Sequence, residues 1–145
     1  MVSIYYRDME INILAVIVAT LVQFAIGAVW YGPLFGKLWG KIHGFDKLSK
    51  EVQAKMMKAM APFYALQLFV TIVTSVVLSI ILSNLSDWNI FMATMLLWIG
   101  FVVPAQVSAV IFGGTESKWI VTKIILQAGG SLACLLAAAF VINLF

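Results

Sequence analysis

Four stretches of this chain are long and apolar enough to be membrane spans. They run over about residues 11–31, 62–85, 88–112 and 119–144, and none contains Asp, Glu, Arg or His. A helix rises ~1.5 Å per residue, so about 20 such residues cross a hydrocarbon layer ~30 Å thick. Lys123, about one turn inside the fourth run, is the single charge. Lipid offers the backbone no hydrogen-bond partners, so each run must be a helix that satisfies its own amides. The balance of the sequence agrees, with 63% hydrophobic and 10% charged residues, against about 25% charged in soluble chains. The expected fold is therefore all-α, a polytopic membrane protein with four transmembrane helices in one domain over residues 1–145.

Orientation follows from the lysines. Lys37, Lys41, Lys47, Lys50, Lys55 and Lys58 lie between the first and second runs, and Lys118 and Lys123 lead into the fourth. The opposite side carries Arg7 with Asp8, Glu10 and Asp87. The positive-inside rule places the lysine loops in the cytoplasm and both termini outside, in a cytoplasmic or inner membrane. The leading MVSIYYRDMEIN is not an ordinary secretory signal, because the apolar run behind it is too long and ends in Trp and Tyr. A retained first helix is the expectation.

At the lysine side, GAVWYGPLFGKLWGKIHGF supplies interfacial aromatics. Trp30 and Tyr31 form the belt of the first helix, Pro33 ends it, and Trp39 dips back toward the acyl boundary. Ser49 is placed to cap a short helix over about residues 45–61, with Glu51 in its first turn. Val52, Met56, Met60 and Phe63 recur at helical spacing, and Lys50, Lys55 and Lys58 take the other side. That pattern suits a basic amphipathic helix lying on anionic headgroups, with Pro62 opening the second span. A plain solvated linker is the alternative.

Each span carries one glutamine: Gln23, Gln67, Gln106 and Gln127. Measured from the lysine side they lie ~10, ~8, ~9 and ~12 Å deep. An unpaired amide in hydrocarbon is costly, so four at one depth predict side chains that face protein or a wet cavity. They serve either as interhelical glue or as a solute-binding, pore-lining layer. Gln67, Thr71, Ser75, Ser79 and Ser83 recur every fourth residue on the second span. That row lines a hydrated path, or it bonds back to its own helix and permits close packing. Pro104 frees the Gly100 carbonyl one turn from Gln106 and should kink the third span. Trp98 lies near mid-bilayer, where its indole needs a partner; the hydroxyl row of the second span is the candidate.

Small-residue rows such as Ala15–Ala19–Gln23–Gly27 and Gly130–Cys134–Ala138 favour close helix packing, and their number predicts a homo-oligomer. Cys134 reads as a packing residue, and as the single cysteine it excludes an internal disulfide. Lys123 snorkels to the cytoplasmic surface. No intramembrane carboxylate, nucleophile–base pair, phosphate loop or metal-ligand cluster is present in the sequence, so no enzyme, cofactor or metal is expected. The basic loop suits lipid headgroups rather than nucleic acid.

Two motifs carry a resemblance: Gly27, Trp30, Tyr31, Pro33, Phe35, Gly36, Lys37 and Trp39, then Trp98, Gly100, Phe101, Pro104 and Phe112. In these the chain resembles a family of small bacterial and fungal membrane proteins known as a domain of unknown function. The resemblance implies a four-helix membrane protein and no reaction. The functional expectation is a passive channel or small-solute transport protein, with a lipid-binding or membrane-protein-binding scaffold as the alternative.

The topology has a direct check. In a Cys134→Ala background, Asn143→Cys should react with an impermeant maleimide on intact cells, and Lys47→Cys only after permeabilisation.

Overall fold

The computed structural model describes residues 11–145 apart from Ser86. Arg7, Asp8 and Glu10, and with them the reading of the leading segment, lie outside the described residues. The four spans are present as Ile13–Leu34, Lys50–Asn84, Ile90–Phe112 and Ser117–Leu144, and every described element is helical.

Helix α1 (Ile13–Val29) starts at Asn12, whose Oδ1 accepts the Ala15 amide at 3.1 Å. It runs into a π-helical turn over Trp30–Leu34. Pro33 therefore does not stop the helix at once. The wider turn absorbs the missing amide, and the chain leaves only after Phe35 N–H donates to the Trp30 carbonyl at 2.9 Å. The third span repeats the device. Helix α4 (Ile90–Leu97), a π turn over Trp98–Val102 and helix α5 (Val103–Phe112) follow one another, and Val103 N–H reaches back to the Trp98 carbonyl. The expected disturbance at Pro104 takes this form: one widened turn just before the proline.

A short basic helix does lie between the first two spans, but earlier than expected. It is α2 (Gly36–Ile42), which carries Lys37, Trp39 and Lys41. The segment assigned to a separate interfacial helix over about 45–61 instead divides into a 3-10 turn at Phe45–Lys47 and the first turns of α3 (Lys50–Asn84), one unbroken helix of 35 residues with Pro62 inside it. Ser49 does cap it, accepting the Val52 amide, and Glu51 occupies the first turn. Pro62 is tolerated because the carbonyl it leaves unpaired, that of Lys58, belongs to an exposed residue where headgroups or water can serve it. At ~1.5 Å per residue α3 is ~50 Å long, so its lysine-bearing turns extend ~20 Å past the hydrocarbon.

Helix α6 (Ile120–Leu144) organises the rest. It packs along α1, α4 and α5, while α3 lies mainly against α1. The shared core is at the end away from the lysines: Ala19, Leu78, Leu82, Ala93, Ala138, Ala139 and Val141. Ala19, Ala138 and Ala139 are fully buried, as close backbone approach in lipid requires. Toward the lysine side α3 separates, and every residue from Ala61 to Val70 is exposed.

Two indoles fasten α6 from different neighbours. Trp30 Nε1 donates to the Leu126 carbonyl at 3.0 Å. Trp98 Nε1 donates to the Ala128 carbonyl and Ser131 Oγ, both at 3.1 Å. The expected partner of Trp98, the hydroxyl row of the second span, is thus corrected to the fourth span. The middle of that row is buried, and Ser75 meets α1 instead. Gly129 and Gly130 make room for Trp30: a Cβ on Gly130 would lie 2.9 Å from the indole Nε1, and one on Gly129 3.2 Å from Cζ2.

Gly130→Ala gains about 1 kcal/mol in helix propensity but overpacks the indole at about 1–3 kcal/mol. Unfolding in mixed micelles should show net destabilisation, and the loss should shrink in a Trp30→Phe background, where the clashing nitrogen is gone.

Candidate functional site

Among the described residues the interior polar side chains fall into two seams and a cleft, apart from Thr94, which is buried on α4 and donates to its own helix at the Ile90 carbonyl. The first seam joins α1 and α3. Gln23 is buried and its Nε2 donates to Ser75 Oγ at 2.8 Å. Thr20 Oγ1 lies 2.9 Å from the same oxygen. Thr20 is also 2.8 Å from the Val16 carbonyl and Ser75 3.0 Å from the Thr71 carbonyl. With one hydrogen on each hydroxyl, one of the pair bonds its own helix while the other bonds across the seam. Ser75 is wholly buried, so these bonds are made away from lipid and water.

One α3 turn away from the lysines, Ser79 is buried and lines a cleft of about 720 Å³. Ser83, Asn12 and Asn143 supply its other polar side chains. In the other direction Thr71 is buried and donates to the Gln67 carbonyl at 2.8 Å. Gln67 itself is exposed, and its Nε2 makes only a long 3.4 Å contact with Thr71 Oγ1. Each four-residue step turns the row by about 40°, so its ends stand about 160° apart. The three middle residues face the bundle and the two ends turn out of it.

The second seam joins α5 and α6. Ser131 Oγ donates to the Ala128 carbonyl at 2.9 Å, accepts from Trp98, and lies 3.4 Å from Gln106 Oε1. Gln127 stands one turn from Ser131, and its Oε1 is buried with no hydrogen-bond partner. Helical spacing sets Gln127 between the α6 residues that meet α1, Gly130 and Cys134, and the one that meets α5, Ser131. The four amides therefore do not form one layer. Gln23 belongs to one seam, Gln106 and Gln127 stand at the other, and Gln67 is outside both. Pro104 is exposed at the start of α5, one turn from Gln106.

At the lysine side Trp39 sits among Tyr31 (ring centroids 4.8 Å), His43 (4.3 Å) and the Lys123 ammonium (5.8 Å). Lys123 also donates to Thr115 Oγ1 at 3.2 Å. His43 Nδ1 lies 2.9 Å from the Trp39 carbonyl, so that nitrogen carries the proton. Lys50, Lys55 and Lys58 are exposed, and Lys55 pairs with Glu51 at 2.9 Å. Trp30, expected as a headgroup anchor, is half-buried against α6 instead.

Residues 14–143, which hold both seams and all but the first residue of α1 and the last of α6, match the family described as a protein of unknown function (DUF1761). The chain belongs to that family. No curated protein and no solved structure matches it. The family is one of unknown function.

Sequence reasoning missed Thr20 and the cleft asparagines. Thr20 had a visible signal: it stands three residues before Gln23, one turn along the same face of α1. Asn12 and Asn143 had none, since the ends of two spans meet only in three dimensions.

Ser75→Ala strands the buried Gln23 amide and should cost about 1–3 kcal/mol in mixed-micelle unfolding. Ser83→Ala, at an exposed residue bonded only within its own helix, should stay within about 0.5 kcal/mol.

Proposed function

We propose that the protein is a passive conduit for small uncharged polar solutes, entered from the cleft and followed along the α1–α3 seam. The observation that carries this reading is the continuity of the α3 row. Ser83 and Ser79 border the cleft, Ser75 meets Gln23 and Thr20, and Thr71 and Gln67 continue the row. From Thr71 to Ser83 it covers ~18 Å of a ~30 Å hydrocarbon layer, with Gln67 one turn further on at the outer face. The partners it offers are amides and hydroxyls, which replace water for an uncharged solute. An ion would meet no opposite charge along the row and would bear the large desolvation penalty of a low-dielectric interior. The unpartnered Gln127 Oε1 supports the same solute class, because a donor on a polar solute or its water would satisfy it.

A second reading, a scaffold that binds anionic lipid or a membrane partner, is favoured by the exposed Lys50, Lys55 and Lys58 on the projecting turns of α3. The two readings separate in purified proteoliposomes. Glycerol or urea entry, followed by stopped-flow light scattering, should exceed that of protein-free vesicles, and Gln23→Leu and Ser79→Leu should each lower it about tenfold. Entry equal to that of empty vesicles would remove the conduit. Binding that needs anionic lipid and is lost in Lys50→Gln/Lys58→Gln would favour the scaffold.

A further inference from the structure

Gln67 is the one glutamine of the four spans that the chain leaves exposed, although it lies ~8 Å along α3 beyond Pro62, where the apolar run begins. Its oxygen is given no partner by the described residues, and one amide hydrogen makes only the 3.4 Å contact with Thr71. The surrounding helix, Ala61–Val70, is exposed throughout. Apolar neighbours such as Phe63 and Val70 can meet acyl chains without penalty; an amide cannot. Something polar must cover Gln67 at that depth.

We infer that a second copy of the chain covers it, with the two α3 helices side by side and Gln67 facing its own counterpart across a two-fold axis normal to the membrane. Both copies insert the same way round, so a residue on that axis meets its equivalent at the same depth. The amide is self-complementary: each Gln67 donates through Nε2 and accepts through Oε1, which gives two reciprocal bonds. Lipid, having no donor at this depth, cannot substitute. Helical geometry puts Phe63, Val70 and Thr74 on the flank of Gln67 that turns away from Thr71 and Ser75, the residues on the face that α1 covers. The second copy would also complete the open end of the α3 polar row, whose last member is otherwise outside the bundle. The inference does not rest on solute passage, and a dimer without flux would leave it standing.

Disulfide trapping in native membranes tests it, in a Cys134→Ala background so that each introduced thiol is the only one. Phe63→Cys, Val70→Cys and Thr74→Cys should yield oxidised dimers. Phe69→Cys and Ile72→Cys, on the far side of α3, should not. With Gln67→Leu, resonance energy transfer between labelled copies diluted in lipid should show association about five- to tenfold weaker, the loss of two interhelical bonds. Gln67 is exposed, so this variant should fold normally, and Ser75→Ala should leave the trapping pattern unchanged. Trapping that is absent at all three positions, or equal on both sides of α3, would overturn the inference. Energy transfer unaltered by Gln67→Leu would remove the amide from it.

Discussion

In lipid the hydrocarbon of one helix is no better placed against another helix than against an acyl chain, so helices are held by close approach and by polar bonds. Here both meet on α6. Its Gly129–Gly130 surface admits the Trp30 indole, and its Leu126 and Ala128 carbonyls accept the two tryptophan N–H groups. Each tryptophan also opens a π-helical turn in its own helix. The proline-disturbed backbone and the interhelical bond are thus parts of one arrangement: the widened turn disposes of the amide the proline lacks, and the indole at its start ties that helix to α6. The α4 and α5 helices are positioned through α6, and α3 mainly through α1, so loosening this anchor would disturb both polar seams.

The α3 row shows how one sequence pattern can have three fates. A four-residue repeat lags the 3.6-residue turn by about 40° each step. Over five residues that drift carries the row from an exposed amide, through three buried hydroxyl residues, to an exposed serine at a cleft. Packing and lining are not exclusive readings of such a row. Ser75 binds its own helix and its neighbour, while Ser79, one turn on, is buried yet borders open volume.

This also explains what could be read beforehand. Spans and lysine distribution are properties of position along the chain, and the four helices and their order follow from them. The shared depth of the glutamines is equally one-dimensional. Their convergence is not, because it depends on the azimuth of each helix and on which neighbours it has. Gln23 faces α3, Ser131 turns Gln106 toward α6, and Gln67 faces neither. Trp98 differs from expectation for the same reason: its position along the span calls for a partner but does not choose between the second and fourth spans. Pro62 misled in a different way. Proline at a helix start is a sound signal, but an exposed helix can lose one bond at its wet end and continue, as α3 does.

Amide chemistry links the seams to the surface. An uncharged group that both donates and accepts can hold a solute without trapping it, since no full charge has to be neutralised and then released. The same property makes it indifferent to which partner supplies the complement, whether a hydroxyl of α3, a solute or another amide. Gln23 finds its complement within the chain. Gln127 has an acceptor left over inside the bundle, and Gln67 has one left over outside it. A missing partner inside a seam is met by something small enough to enter. One on the outer face of a spanning helix needs a group that the membrane itself contains at that depth, which is what the proposed second copy, inserted in the same direction, would supply.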